Sequence, residues 1–393
     1  MTTDLDTYQC LERTLYAIKA QIERQPAFDD MVAALARDGL TLDALRATIR
    51  PPVDADLHSH SNYSDGNLPP RKIVWLAKLL GLRAVAVTDH DSVLGVPEAV
   101  AEGRALGVRV VPGVEFSTGR SGCEILAYFP DADAFVEFLQ TDRAQPFLAY
   151  LKSIQDQIHE DTVRVIDDVN AFLASHGVGQ DAPVTEEELG AWFSGQKPYY
   201  PGTTAVLGLK RLPRALRDEL DIHDPREFNT QVVSPAMKRI KAERGGVKLD
   251  GVAAVFDQIE AVRRAGARCI TALAHPLELK TKGKMARPEV EPFVADLVQR
   301  YGLDGLEVNN SRDSADDSAY WRAMADSIDA IAPHPLVRLC FSSDFHVLAP
   351  GLATGEITLG YGMLDESPEH RQGNLQACMS VDDLLYRMDQ FSR

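Results

Sequence analysis

Two pairs of potential metal ligands, each spaced by one residue, stand far apart in this sequence. His58 and His60 flank Ser59 directly after the apolar run at 53–57, and Asp344 and His346 flank Phe345 after the run at 336–341. On extended chain, side chains two residues apart point to the same side, so such a pair can chelate one ion. Between the pairs come Asp65 in the turn Ser64-Asp65-Gly66, the run Asp89-His90-Asp91, Glu115, and His275 before Pro276. Mixed nitrogen and oxygen donors without thiolate suit Zn²⁺, Mn²⁺ or Fe²⁺ rather than Ca²⁺ or Mg²⁺ alone. Clusters of this kind carry out hydrolysis. Bound water is acidified toward neutral pH, and metals ~3.5–4 Å apart clamp the attacking and leaving oxygens. No protein nucleophile is then required.

Each residue also has a plainer reading. Asp89 or Asp91 can cap the helix that follows. Glu115 can be a surface carboxylate, His275 a core histidine, and Asp344 and His346 loop residues in water. The elements argue against five such coincidences. Strands are expected at 53–57, 83–88, 108–116, 123–129, 269–275, 304–310 and 336–344. Helices are expected between them at 69–81, 97–107, 291–302 and 317–331. Five of these strands run into His, Asp or Glu, and a fold of repeated βα units gathers those strand ends on one edge. His159, His176, His223, His334 and His370 fall outside the pattern and are read as structural.

Repeated βα units imply an α/β fold with a mostly parallel sheet, open or closed into a barrel. The units occupy residues 51–130 and 263–393. Residues 131–262 carry helical periodicity alone and are read as a helical insertion. Residues 1–50 read as an N-terminal helical extension ended by Pro51-Pro52, and 380–391 as a final helix.

The 393 residues are 45% hydrophobic, enough for a sizeable core, and the net charge is −17. That charge argues against long nucleic acid, which needs a basic surface. It leaves room for a small phosphorylated substrate, because bound metals invert the local field. Five scattered cysteines form no CxxC pair, so neither a disulfide framework nor a zinc–thiolate site is expected. The acidic N-terminus has no apolar signal region and no stretch has membrane length, so a cytoplasmic protein without membrane contact is expected. Oligomeric state is left open.

The ordered motifs have a family resemblance. D-x-H-x-H-S-x-x-S-D-G over Asp56–Gly66, T-D-H-D over Thr88–Asp91, P-G-V-E over Pro112–Glu115, A-H-P over Ala274–Pro276 and S-D-x-H over Ser343–His346 resemble the PHP (polymerase and histidinol phosphatase) family. The resemblance covers 53–130 and 265–365. It implies a distorted (β/α)7 barrel with two to three divalent metals. It implies His58 and His60 on one metal, Glu115 bridging, and Asp344 completing that site. Asp65, His90 and His346 would hold another metal, and His275 the middle one. Where the family usually has histidine in H-x-L-G-Y, this chain has Glu124, and Ala127 replaces the glycine. A carboxylate can also ligate, with altered metal preference. The helical insertion resembles a substrate cap.

The function implied is metal-dependent hydrolysis of a phosphate ester on a small metabolite or nucleotide. The expected mechanism is in-line attack by a metal-bridging hydroxide. His90 or His346 would assist the leaving oxygen, or Asp91, which that ligand scheme leaves free, would be the acid. Alternatives are an exonuclease on short oligonucleotides, a non-catalytic metal-binding partner module, and amide hydrolysis. Phosphate contacts are sought in the basic loop after His275, at Lys284 and Arg287, and at Arg312 and Arg120. Lys197, beside Tyr199 and Tyr200, could offer a cation and a stacking ring for a base.

Overall fold

The computed structural model describes residues 14, 16–48, 53–192, 200–243, 251–310, 312–339 and 342–346. Beyond these it describes 357–358, 362–363, 382, 386, 388 and 390. The expected final helix and Lys197 therefore lie largely or wholly outside the described residues.

Seven strands form one curled sheet in sequence order, and Ile357–Thr358 pairs with Gly362–Met363 in a separate two-stranded sheet. The seven are β1 (Ala55–Asp56), β2 (Ala84–Val87), β3 (Arg109–Ser117), β4 (Glu124–Tyr128), β5 (Ile270–Leu273), β6 (Gly305–Glu307) and β7 (Val337–Leu339). β1, β2 and β3 run parallel, as do β5, β6 and β7. The two edges meet past the strand ends. Ser59 bridges Phe345, and His60 N–H donates to Phe345 O at 2.7 Å. The result is a distorted (β/α)7 barrel pinched together beside the two spaced ligand pairs.

β4 is antiparallel to both β3 and β5. The link from β3 to β4, residues 118–123, is too short for a crossover, which takes a dozen residues or more. It turns back as a hairpin through Gly119 and Gly122, with φ of +71° and +73°. A side chain at Gly122 would place Cβ 2.2 Å from the backbone oxygen of Glu278, so only glycine fits there. The reversal puts the first residue of β4, Glu124, on the edge where the parallel strands end.

Alternation sorts the β2 residues between two cores. Ala84 and Ala86 join Leu57, Val111, Leu126, Tyr128, Ala272 and Leu339 in one cluster, while Val85 and Val87 face the helix layer. The helix Pro70–Leu80 starts with Pro at its first position and ends at Gly81 with φ +77°. Its residues Ile73, Val74, Trp75, Leu76 and Leu79 are buried. The N-terminal helices cover this layer: Ile18, Ile22, Met31 and Leu35 share its core, and Phe28 meets Trp75 edge-on at 6.2 Å.

Among the described residues of 131–262 there is no strand. The helix Gln145–Ser175 spans two environments. Phe147 and Leu151 pack on the barrel core, whereas Val165, Val169 and Leu173 build a second core with Leu189, Leu207, Phe228 and Ile240. The closing helix Gly251–Arg264 returns to the barrel core through Val255 and Ile259.

Candidate metal centre

All nine ligand candidates reach one edge of the sheet. Their donor atoms fall into three groups: His60, Asp65, His90 and His346; His58, His60, Glu115 and Asp344; and Glu115, Glu124 and His275. Within each group the donors lie within 4.8 Å of one another. His60 and Glu115 each belong to two groups, so the three adjoin.

His58 Nε2 and His60 Nε2 face each other at 3.1 Å. Glu115 Oε2 lies 3.1 Å from the first and 3.2 Å from the second. Asp344 Oδ1 lies 3.1 Å from His60 Nε2 and 3.4 Å from His58 Nε2. His58, His60 and Glu115 are fully buried and Asp344 nearly so. Two imidazole nitrogens and two carboxylates converging on one point, away from water, fit a divalent cation. A second sign is that His90 Nδ1, 3.4 Å from Glu115 Oε2, is buried without a hydrogen-bond partner. Asp91, His275 and Asp344 also hold positive φ values of 48°, 25° and 54°, a conformation non-glycine residues avoid. Such strain concentrates where the surrounding structure imposes it for a site.

The electrostatics follow from the crowding. Burial raises the pKa of Asp65, but His346 and His90 outweigh it and hold the carboxyl well below its usual range. Against the same burial, His58 and His90 depress Glu115, and Arg312 and His346 depress Asp344. Burial opposes charge on His275, yet Glu115 and Glu124 push it up to about 10. Glu124 is raised by burial and by Glu115 beside it.

Several supporting residues were not singled out from sequence. Glu307, the last residue of β6, is fully buried. Its Oε1 lies 2.8 Å from His58 Nδ1, and its Oε2 accepts from His275 N–H at 2.6 Å. A carboxylate on Nδ1 fixes the tautomer that leaves Nε2 free to ligate. A glutamate within the apolar run Leu306-Glu307-Val308 was the available signal. Asp89, which the sequence offered as a ligand or helix cap, instead accepts from Ser61 N–H, Ser61 Oγ and Ser64 Oγ, each at 2.6 Å, and so shapes the turn between His60 and Asp65. Glu278, also buried, sits 3.5 Å from His275 Nδ1 and 2.6 Å from Lys282 Nζ.

The expected substrate contacts separate. Arg312 pairs with Asp344 and lies 3.7 Å from Glu278, at the centre's rim. Lys284 instead donates to Thr281 O at 2.7 Å, and Arg287 stacks over Tyr320 at 4.1 Å. Arg120 lies over Phe293 at 4.0 Å. The basic loop is short and helical at Leu277–Thr281, and that geometry turns Lys282, not Lys284, toward the donors. Asp91 is buried, with Oδ1 accepting from Ser117 N–H at 3.1 Å and Oδ2 unpartnered. Burial pushes its carboxyl up to about 7. Residues from the 131–262 region reach the same loop: Gln155 donates to Asp91 O at 2.8 Å and Tyr200 OH to His90 O at 2.9 Å. Of the remaining histidines, His159 faces Glu186, His223 faces Asp218 and Asp221, and His334 faces Asp304.

A pinched barrel with histidine and carboxylate donors on one edge defines a metal-dependent hydrolase. Residues 56–175 match the PHP domain. The chain is 25% identical over 293 residues to a 5'-3' exoribonuclease from Haemophilus influenzae, covering 74% of this chain and 89% of that protein. It is 26% identical over 299 residues to a 3',5'-nucleoside bisphosphate phosphatase from Chromobacterium violaceum, covering 75% of this chain and 87% of that one. Among solved structures, an amidohydrolase from Chromobacterium violaceum with bound sulfate and no metal superposes with a TM-score of 0.52. It shares 23% identity and covers 86% of this chain and 97% of its own. A protein from Bifidobacterium adolescentis assigned as a metal-dependent phosphoesterase also has a TM-score of 0.52, at 18% identity, with 85% and 100% covered. These two likenesses speak to the fold.

Proposed function

We propose that this protein releases phosphate from a small phosphorylated metabolite, a nucleotide in particular. The observation that carries the reading is the sharing of Glu115 and His60 between adjoining donor groups, which suits a multi-ion centre. The two long-range relatives support the nucleotide: one is named for a nucleoside bisphosphate and the other for RNA. We assign His58, His60, Asp65, His90, Glu115, Glu124, His275, Asp344 and His346 as the ligands of two to three ions.

When bound, the ions supply Lewis acidity and an acidified water for attack at phosphorus. The protein's part is placement and proton control. Glu115 holds two groups in register, and Glu307 keeps the His58 tautomer. Arg312 offers a guanidinium at the rim, where it can pair with a phosphate oxygen. Asp91, its carboxyl pushed up to about 7 by burial, is protonated in part of the molecules at neutral pH and is the group we assign to protonate the leaving oxygen. Gln155 and Tyr200 seat the 131–262 helices against the His90–Asp91 loop, and those helices act as a cap that excludes water.

The exoribonuclease relative favours a second reading, cleavage of short oligonucleotides. A net charge of −17 fits strands of a few nucleotides better than long ones. Phosphate release from nucleoside monophosphates and bisphosphates, set beside shortening of di- to pentanucleotides, separates the two. Release from small nucleotides alone supports the first reading, and processive shortening of oligonucleotides would replace it. His58→Ala or Asp344→Ala should abolish either activity while the circular dichroism spectrum stays native. Full activity in either variant would sink the ligand assignment.

No helix among the described residues is long and apolar enough to cross a membrane.

A further inference from the structure

The three donor groups are not alike in chemistry. The first sets three imidazoles, of His60, His90 and His346, against one carboxylate. The second has two of each, and the third has one imidazole, of His275, against the carboxylates of Glu115 and Glu124. Imidazole suits zinc and ferrous iron, whereas carboxylate oxygens suit manganese and magnesium. We propose that the group built on Glu124 selects an oxygen-preferring divalent cation, Mn²⁺ or Mg²⁺, beside neighbouring positions that favour Zn²⁺ or Fe²⁺. The inference rests on the metal-dependent reading above and goes beyond it in assigning different ions to different positions of one centre.

Three features of this chain build that position. His275 Nε2 is the nitrogen that faces it, 3.0 Å from Glu115 Oε1 and 3.3 Å from Glu124 Oε2. Behind the ring, Glu278 Oε2 is buried without a hydrogen-bond partner, 3.5 Å from His275 Nδ1. A carboxylate behind a ligating imidazole orients the ring and raises its basicity, while the other oxygen of Glu278 is paired with Lys282 at 2.6 Å. The Glu124 side chain keeps 25% of its surface exposed, while His58, His60 and Glu115 have none. With three protein donors and an opening to solvent, the position leaves room for waters. Mn²⁺ and Mg²⁺ take octahedral oxygen shells, and Mg²⁺ keeps several waters. The hairpin through Gly122 holds the arrangement, since it carries Glu124 and packs on the backbone of Glu278.

The test is metal content, not turnover. The chelator-stripped protein is equilibrated with equimolar Mn²⁺ and Zn²⁺, unbound metal is removed, and both ions are counted per chain by elemental analysis. Electron paramagnetic resonance then reads the bound Mn²⁺. The unaltered protein should retain Mn²⁺ alongside Zn²⁺. Glu124→His should raise the Zn-to-Mn ratio by about tenfold or more. Glu124→Gln, nearly the same shape, should lose Mn²⁺ and keep its Zn²⁺, which decides the matter even if the histidine variant does not fold. An unchanged ratio in Glu124→His, or full Mn²⁺ retention in Glu124→Gln, overturns the proposal. Selective ion retention without phosphate release from any ester would remove the phosphoesterase reading and leave this one standing. Phosphate release by a protein that holds zinc at every position would do the reverse.

Discussion

Glu307 bonds to two ligand candidates at once, through His58 Nδ1 and the backbone N–H of His275. Glutamine there would turn an amide N–H₂ toward one of two donors. We predict that Glu307→Gln weakens metal affinity about 10- to 100-fold while the fold persists. Competition against a chromophoric chelator reads this directly, and unaltered affinity would make Glu307 a bystander. His275 contributes to the pH dependence, beside His58, His60, His90 and His346, which are also raised. The folded pKa of His275, about 10 against an ordinary 6.5, means that its proton stabilises the metal-free fold fully below 6.5. That contribution is lost as pH rises from 6.5 through about 10. Metal must displace the same proton, so binding strengthens over this window. The rise in melting temperature on adding Mn²⁺ should therefore grow between pH 6.5 and 9. A rise independent of pH would show that His275 does not bind metal. Eight of the nine ligand candidates were legible because they lie at or just past strand ends, and Glu124 was reached only through the family resemblance. Glu307 and Glu278 were not legible, because a residue that supports a ligand has no spacing of its own.

The sheet was legible strand by strand and is mostly parallel as read, with β4 the one strand whose direction was not foreseen. The reading of repeated βα units made it mostly parallel, and β4 runs against both neighbours. The signal was present in the short link at 118–123, which contains Gly119 and Gly122 and no helix. The reversal matters because a parallel β4 would carry Glu124 to the far edge. Gly122 holds the turn: φ is +73°, and an added Cβ would lie 2.2 Å from Glu278 O. Gly122→Ala should cost about 2 kcal/mol or more, from positive-φ strain plus the forced separation of two backbones. It should also lower metal occupancy by moving Glu124 and Glu278 apart. Thermal melting and elemental analysis on the same sample check both. A variant that melts early yet keeps every ion would mean the hairpin serves stability alone.

At the scale of the molecule, the periodicity of 131–262 was readable as helix, while the division of its helices between two cores was not. Helical spacing marks an apolar face without saying which partner it meets. The helix Gln145–Ser175 shows the consequence: its first turns pack with Phe116 and Phe129, and its later turns with Phe228 and Ile240. The 131–262 region thus has its own core, yet it is tied to the barrel by one continuous helix and by Gln155 and Tyr200 at the His90–Asp91 loop. A core of its own lets the cap loosen without the barrel opening. Leu173 is fully buried within that second core. Leu173→Ala should destabilise the cap by about 2–5 kcal/mol. If the cap closes over substrate while the barrel alone holds the ions, the variant should keep its metal content. It should become sensitive to proteolysis within 165–240 and lose activity through a raised KM for the nucleotide. Elemental analysis, limited proteolysis and steady-state kinetics on one preparation decide it. Loss of metal in step with loss of activity would show instead that the cap and the centre are one cooperative unit, held through the Gln155 and Tyr200 contacts.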